Sequence, residues 1–281
     1  MAEKMTVFEA QKRAFSFAGS HGMDQSVVDM LLCGQMNWDT TRMLMHYRDE
    51  FSEGDFALLM ANLEKCAQGM PPQYVLGHSS FFGRDFVVNG NTLIPRVETE
   101  DLVEWILQDN DDRSTAFADI GTGSGAIGLT LAAERPSWHG VLGDISAGAL
   151  DVARENAGKL GVSCDFRLSD VFDRIDGLFD VIVSNPPYIA ESEKSYMDRS
   201  VLEHEPETAL FAADNGLAVY RKICRQAGDH IRGGGSLYLE IGFLQGQAVC
   251  GMFREAYPDA EVTLRKDESG HDRMIRVRFK A

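Results

Sequence analysis

The stretch TAFADIGTGSGAIGLTLAAE, residues 115–134, decides the fold class. TAFADIG (115–121) reads as a strand, and GAIGLTLAAE as the helix that follows it, with the glycines as a tight loop between them. The same alternation continues outward. HGVLGDI (139–145) is a strand, followed by a helix over 147–160. CDFRLSD (164–170) and FDVIVS (179–184) are strands. A helix over 217–231 precedes the strand SLYLEIG (236–242), and another over 245–257 follows it. Alternation of this kind predicts an α/β fold with a mostly parallel sheet and helices on both faces. AEVTLRK (260–266) and DRMIRVRFK (272–280), joined by ESGH, predict an antiparallel hairpin at one edge.

Residues 1–75 read differently. Nine of the twelve methionines fall there, and apolar residues recur at helical spacing, as in Val27, Val28, Leu31 and Leu32. Thr6 with Glu9 and Ser52 with Asp55 have capping-box spacing, and Asp24 is a third N-cap. This predicts a bundle of four or five short helices, ended by Pro71-Pro72. The methionines read as core filler, with an adaptable docking surface for a partner protein as the sharper alternative. SSFFGRDFVV (79–88) gives two short β-rich runs around Gly83, and Asn89-Gly90 is a turn signal. The chain therefore divides into a helical domain over 1–75, a β-hairpin linker over 76–96 and an α/β domain over 97–281.

The chain has 281 residues and a formal net charge of −16. Contact with nucleic-acid phosphates needs clustered Lys and Arg, so general nucleic-acid binding is disfavoured. The five cysteines (Cys33, Cys66, Cys164, Cys224, Cys250) lack metal-ligand spacing and read as reduced thiols of a cytoplasmic protein. No apolar run has signal-peptide or membrane-span length.

Two motifs carry chemistry. Asp119 and Gly121-Thr122-Gly123-Ser124-Gly125 stand at the carboxyl end of a parallel strand, where open α/β sheets bind ligands. Asp144 ends the next strand and can accept both ribose hydroxyl protons of an adenosyl group. Gly121, Gly123 and Ala126 satisfy the dinucleotide fingerprint G-x-G-x-x-[GA]. The same residues, with Asp119, fit the methyltransferase pattern [ED]-x-G-x-G-x-G. An acid beside the loop burdens a pyrophosphate but suits the cationic end of S-adenosylmethionine. The second motif is Asn185-Pro186-Pro187-Tyr188, directly after FDVIVS. Two prolines fix φ and remove two donors. They leave a rigid corner with two acceptors, the Asn185 side-chain oxygen and the Pro186 carbonyl, and an aromatic ring in Tyr188. Such a corner suits a planar NH₂ group, held on its two N–H bonds with Tyr188 against its flat face.

With these motifs the chain resembles the HemK/PrmC family, the protein-(glutamine-N5) methyltransferases of peptide chain release factors. The likeness extends to PPQYVLG (71–77), IPRVETE (94–100), EPETAL (205–210), GGGSLYLEIGFLQ (233–245) and KDESGHDR (266–273). Val97 stands where the family usually has Pro, and Phe82 where Trp is frequent. The resemblance implies a class I methyltransferase domain with a Rossmann-like seven-stranded sheet, preceded by a helical domain that docks the release factor. It implies that Asp119 and Gly121 to Gly125 hold the methionine part of S-adenosyl-L-methionine, that Asp144 holds the ribose, and that Asp170-Val171 flank the adenine. Asn185 to Tyr188 would receive the substrate glutamine of a Gly-Gly-Gln loop, and Glu98, Thr99 and Glu100 would close the cofactor pocket. The alternative for these acids is helix N-terminal charge. Asp267 and Arg273 read as a loop-bracing pair. The reaction expected is direct methyl transfer to an amide nitrogen, giving S-adenosyl-L-homocysteine, with no metal, no membrane and no nucleic acid, by a protein monomeric by default. Rival readings are an amino methyltransferase of adenine or cytosine, a dinucleotide oxidoreductase and a non-catalytic partner protein.

Overall fold

The computed structural model describes residues 5–281, so the first four residues of the predicted helical domain, Met1 among them, lie outside the described residues. The described residues form two compact units, one running up to His78 and including 198–204, the other of residues 79–197 with 205–281.

The first unit is helical: α1 (Val7–Ser20), α2 (Gln25–Met36), α3 (Thr40–Met45), α4 (Glu53–Ala67) and α5 (Pro72–Leu76). The expected caps are present. Thr6 and Glu9 form a reciprocal capping box, Asp24 accepts from the Ser26 N–H, and Ser52 accepts from the Asp55 N–H. Val7, Ala10, Ala14 and Ala18 line one face of α1 and close a core with Val28, Leu31, Leu32, Leu59 and Leu63. Of the methionines, Met43 is buried in that core and Met5, Met23, Met36 and Met60 pack against it, while Met30 and Met45 are exposed. Pro71-Pro72 does not end the bundle. Pro72 opens α5 at its first position, where a missing N–H costs nothing.

In the second unit, strands β1 (His78–Phe81) and β2 (Arg84–Val87) form the expected hairpin. Phe82 and Gly83 make its turn, both at positive φ (49° and 69°), the geometry of a two-residue hairpin loop. The hairpin is more than a linker. Phe81 and Phe86 are fully buried in the α/β core. Asn156 accepts from the Val87 N–H (2.7 Å) and returns a hydrogen bond to its carbonyl (3.0 Å).

After α6 (Glu98–Asp109), strands and helices alternate: β3 (Ala116–Ile120), α7 (Ala126–Glu134), β4 (His139–Asp144), α8 (Ala147–Leu160), β5 (Asp165–Leu168) and β6 (Phe179–Ser184). The segment between β6 and the next long helix holds a 3-10 turn (Glu191–Tyr196) and the short helices α9 (Arg199–His204), which belongs to the first unit, and α10 (Glu207–Leu210). There follow α11 (Ala218–His230), β7 (Ile231–Glu240), α12 (Gly246–Ala256), β8 (Glu261–Lys266) and β9 (Asp272–Arg278). The seven-stranded sheet has the order β5-β4-β3-β6-β7-β9-β8, parallel except for β9. Alternate residues divide between its faces. Ala118, Ile182, Leu237 and Leu239 meet α11 and α12 through Tyr220, Ile223, Val249 and Phe253. Phe117, Val181, Val183 and Tyr238 meet α6 and α7 through Leu102, Ile106, Leu129 and Leu131. This is the doubly covered arrangement in which ligands bind beyond the carboxyl ends of the strands. Among the described residues no helix is long and apolar enough to cross a membrane.

Candidate active site

A cavity of about 320 Å³ opens at the carboxyl ends of β3, β4, β5 and β6, within the range of small-molecule sites. Its walls include Gly121 to Ser124, Asp144 to Ser146, Ser169 to Val171 and Ser184 to Pro187, with Thr99 at the start of α6. Four strand ends separated in sequence thus converge on one space.

The glycine loop is built inward as well as outward. The Gly121 and Thr122 N–H groups donate to the Gly143 carbonyl, that of Gly123 to Asp144 Oδ2 and that of Gly125 to the Thr122 carbonyl. Four of the five loop N–H groups in 121–125 are therefore engaged by protein acceptors. A pyrophosphate cradle needs such donors turned toward the ligand, so the loop does not suit the dinucleotide alternative. Gly121 and Gly123 lie at φ of 73° and 57°, with open space where a Cβ would stand. Their absence of side chain lets a ligand approach the backbone closely.

Asp119 and Gly125, expected to touch the cofactor, are not on the cavity wall. Asp119 is buried, and its Oδ2 accepts from the Thr122 hydroxyl (2.6 Å) and the Gly128 N–H (2.9 Å). It braces the loop against α7. Burial pushes its carboxyl up to about 6, against those two hydrogen bonds. Gly125 caps α7 at φ 83°, and a Cβ there would meet Leu129 at 2.6 Å. It serves packing.

Asp144 does face the cavity. Its Oδ1 accepts from the Ser146 N–H (2.8 Å) and its Oδ2 from the Gly123 N–H (2.9 Å). Each oxygen keeps a lone pair for a ligand hydroxyl. Burial raises its carboxyl above the usual range, opposed by the backbone donors. Next to it, exposed Ile145 offers an apolar flank. Val171 lies at φ 55°, a conformation β-branched residues rarely adopt. It is held by the Ser169 hydroxyl, which donates to its carbonyl at 2.9 Å. Asp170 pairs with Lys222 at 2.7 Å.

At the Asn-Pro-Pro-Tyr corner, Asn185, Pro186 and Pro187 line the cavity and Tyr188 does not. The Tyr188 carbonyl accepts from Gln245 Nε2 (2.9 Å), and its ring lies where a Cβ on Gly242 would meet it at 3.3 Å. The ring is turned into the core on the α11 face, and the expected stacking face for an amide is not there. Burial pushes its hydroxyl up to about 12, so it stays neutral. Asn185 Nδ2 donates to Thr99 Oγ1 (3.3 Å), and Thr99 Oγ1 donates to Glu240 Oε2 (2.6 Å). With its nitrogen so held, Asn185 turns its oxygen away from Thr99, free to accept. Glu240, at the end of β7, is 2% exposed, and burial pushes its carboxyl up to about 7.

Of the ETE segment, only Thr99 reaches the cavity. Glu98 is exposed, and Glu100 accepts from the Phe82 N–H (2.7 Å), fixing the hairpin turn. Asp267 and Arg273 brace a loop as expected, at 3.1 Å, with Asp267 also accepting from the His271 N–H. The sequence reading missed the roof of the cavity. Buried Glu205 accepts from the Ile94 N–H (3.2 Å) and from Arg96 (2.6 Å), and cavity residues Pro95, Pro206 and Phe211 lie on the segments it ties.

The chain is similar to known proteins over most of its length. The PrmC N-terminal domain family matches residues 9–77, and the methyltransferase small domain family matches residues 98–208. A release factor glutamine methyltransferase of Lactococcus lactis is 46% identical over 231 residues, 82% of this chain and 86% of that protein. One of Cereibacter sphaeroides is 40% identical over 281 residues, 99% of this chain and 100% of that protein. Among solved structures, a Thermus thermophilus 16S rRNA methyltransferase in complex with AdoMet and guanosine shares the fold. It is 15% identical, with a TM-score of 0.51, over 72% of this chain and 50% of that one.

Proposed function

The chain belongs to the release factor glutamine methyltransferases, and on that premise we propose that it methylates the side-chain amide nitrogen (N5) of the glutamine in a release factor's Gly-Gly-Gln motif. S-Adenosyl-L-methionine, when bound, supplies a methyl group on a cationic sulfur, and S-adenosyl-L-homocysteine is what remains.

The donor set fits that cofactor. Asp144 offers two carboxylate oxygens to the ribose hydroxyls, Gly121 to Ser124 admit the methionine part against bare backbone, and Ile145 with Asp170-Val171 flank the adenine. Asp119 acts on the loop from behind rather than on the ligand.

The single observation that carries the substrate reading is the orientation of Asn185. Its nitrogen is held by Thr99, which leaves Oδ1 to accept, and Oδ1 with the Pro186 carbonyl would form a pair of acceptors at a proline-stiffened corner of the cavity. A carboxamide NH₂ presents two donors in one plane and matches that pair. An amide lone pair is delocalised and weakly nucleophilic. Acceptors on both N–H bonds raise electron density on nitrogen, aim it, and stabilise positive charge as the new bond to carbon forms. Residues 1–75 are read as the part that docks the release factor, and the protein as a cytoplasmic monomer.

Incubation with labelled S-adenosylmethionine and either release factor or nucleic acid tests the reading. Label is expected in the release factor alone. Label in nucleic acid alone would assign the corner to a base amino group instead.

A further inference from the structure

Thr99 and Glu240 are 141 residues apart and meet behind Asn185. We propose that Glu240 is a positioning residue for methyl transfer, which acts through the Thr99 hydroxyl to keep the Asn185 side chain turned with Oδ1, and not Nδ2, toward the cavity. The inference rests on the reading of Asn185 as an acceptor for the substrate amide.

An ionised carboxylate has no hydrogen to give, so the Thr99 hydroxyl must donate to Glu240 Oε2. Thr99 Oγ1 then offers Asn185 only lone pairs, and Asn185 must answer with Nδ2. Oδ1 is left for the cavity. The nearby Asn185 amide lowers the proton affinity of Glu240 slightly. A protonated Glu240 reverses the order. It can donate to Thr99, which can then donate to Oδ1. The amide turns over and presents NH₂ to the NH₂ of a substrate, donor against donor.

Other groups around Glu240 do not set this order. Glu98 on α6 raises its proton affinity, and Arg273, engaged with Asp267, lowers it. Tyr188 is neutral, and Tyr220 on α11 donates to the Glu240 backbone carbonyl (2.8 Å), not to the carboxylate. Burial dominates and pushes the carboxyl up to about 7. The ordering proton is therefore lost and gained near neutrality.

The test uses the full-length protein with release factor and S-adenosylmethionine, comparing Glu240→Gln, Thr99→Val, Thr99→Ser and Asn185→Ala. Thr99→Val and Glu240→Gln should lower kcat by about tenfold or more, the scale of one orienting hydrogen bond. Cofactor affinity by calorimetry should stay within about threefold, which also shows that the variants fold. Thr99→Ser should recover most of the rate. Wild-type kcat should rise with pH to a plateau above about 7, and Glu240→Gln should lose that limb. A readout independent of turnover is the side-chain amide NMR signal of Asn185, identified by its loss in Asn185→Ala. It should titrate near neutrality in the wild type and not in Glu240→Gln. Wild-type rates for Thr99→Val and Glu240→Gln, beside an inactive Asn185→Ala, would overturn the relay and leave the corner's role intact. A wild-type rate for Asn185→Ala would remove the reading beneath it.

Discussion

At the scale of the residue, Asp144 and Asn185 are the two cavity residues proposed to bear the chemistry, and their roles can be separated by measurement. Asp144→Ala removes both carboxylate oxygens from the cavity wall while leaving β4 in place. Hydrogen bonds to a charged group are worth about 1.5–3 kcal/mol, so S-adenosylmethionine affinity by calorimetry should fall roughly ten- to a hundredfold. Asn185→Ala should leave that affinity nearly unchanged and lower turnover by about a hundredfold, as removal of one preorganised polar contact does elsewhere. Asn185→Asp keeps an acceptor and should retain more activity than Ala. The places of Asp144 and Asn185 on the cavity wall were legible in the sequence because each stands at the carboxyl end of a strand. The place of Tyr188 was not. Adjacency to two prolines suggested a ring in the site, but the ring's direction depends on the space at Gly242, more than fifty residues later. Thr99 and Glu240 carry no local signal of their meeting, since only the sheet order brings the end of β7 to the start of α6.

Elements hold the site by a few long-range bonds. Asn156 on α8 is the clearest: it binds both backbone groups of Val87 in β2 and the Ser124 carbonyl in the glycine loop (2.9 Å). Asn156→Ala leaves one buried and two part-buried backbone groups without this partner, each costing up to about 1–3 kcal/mol if unsatisfied. With partial access of water, a loss of about 2–4 kcal/mol is expected in urea unfolding, and cofactor affinity should fall with it. The α/β alternation that makes this possible was legible because successive residues on the central strands are apolar, for a core on both faces. The helices between β6 and α11 were not, for they are too short to show periodicity. From sequence Pro71-Pro72 reads as a stop, because proline breaks a helix from within. At the first position it starts one instead.

For the whole molecule, buried carboxylates set how stability follows pH. Asp119, at about 6, and Glu240, at about 7, hold their protons more tightly folded than unfolded. Their contribution is complete below the ordinary carboxylate range, near pH 4, and is lost as pH rises through about 7. Thermal unfolding should therefore show Tm declining over that window. Glu240→Gln cannot ionise, so the decline should shrink, and at pH 8 the variant should be more stable than the wild type by of order 1–3 kcal/mol, with the difference vanishing near pH 4. A less active and more stable variant is the expected signature of a group kept for positioning. The central claim, however, is where the methyl group goes. The most direct measurement is fragment mass spectrometry of release factor after incubation with the protein and S-adenosylmethionine, with Asn185→Ala alongside. A single added methyl is expected on the side chain of the Gly-Gly-Gln glutamine, nearly absent with Asn185→Ala. A methyl on another residue, or an unmodified release factor beside methylated nucleic acid, would contradict it.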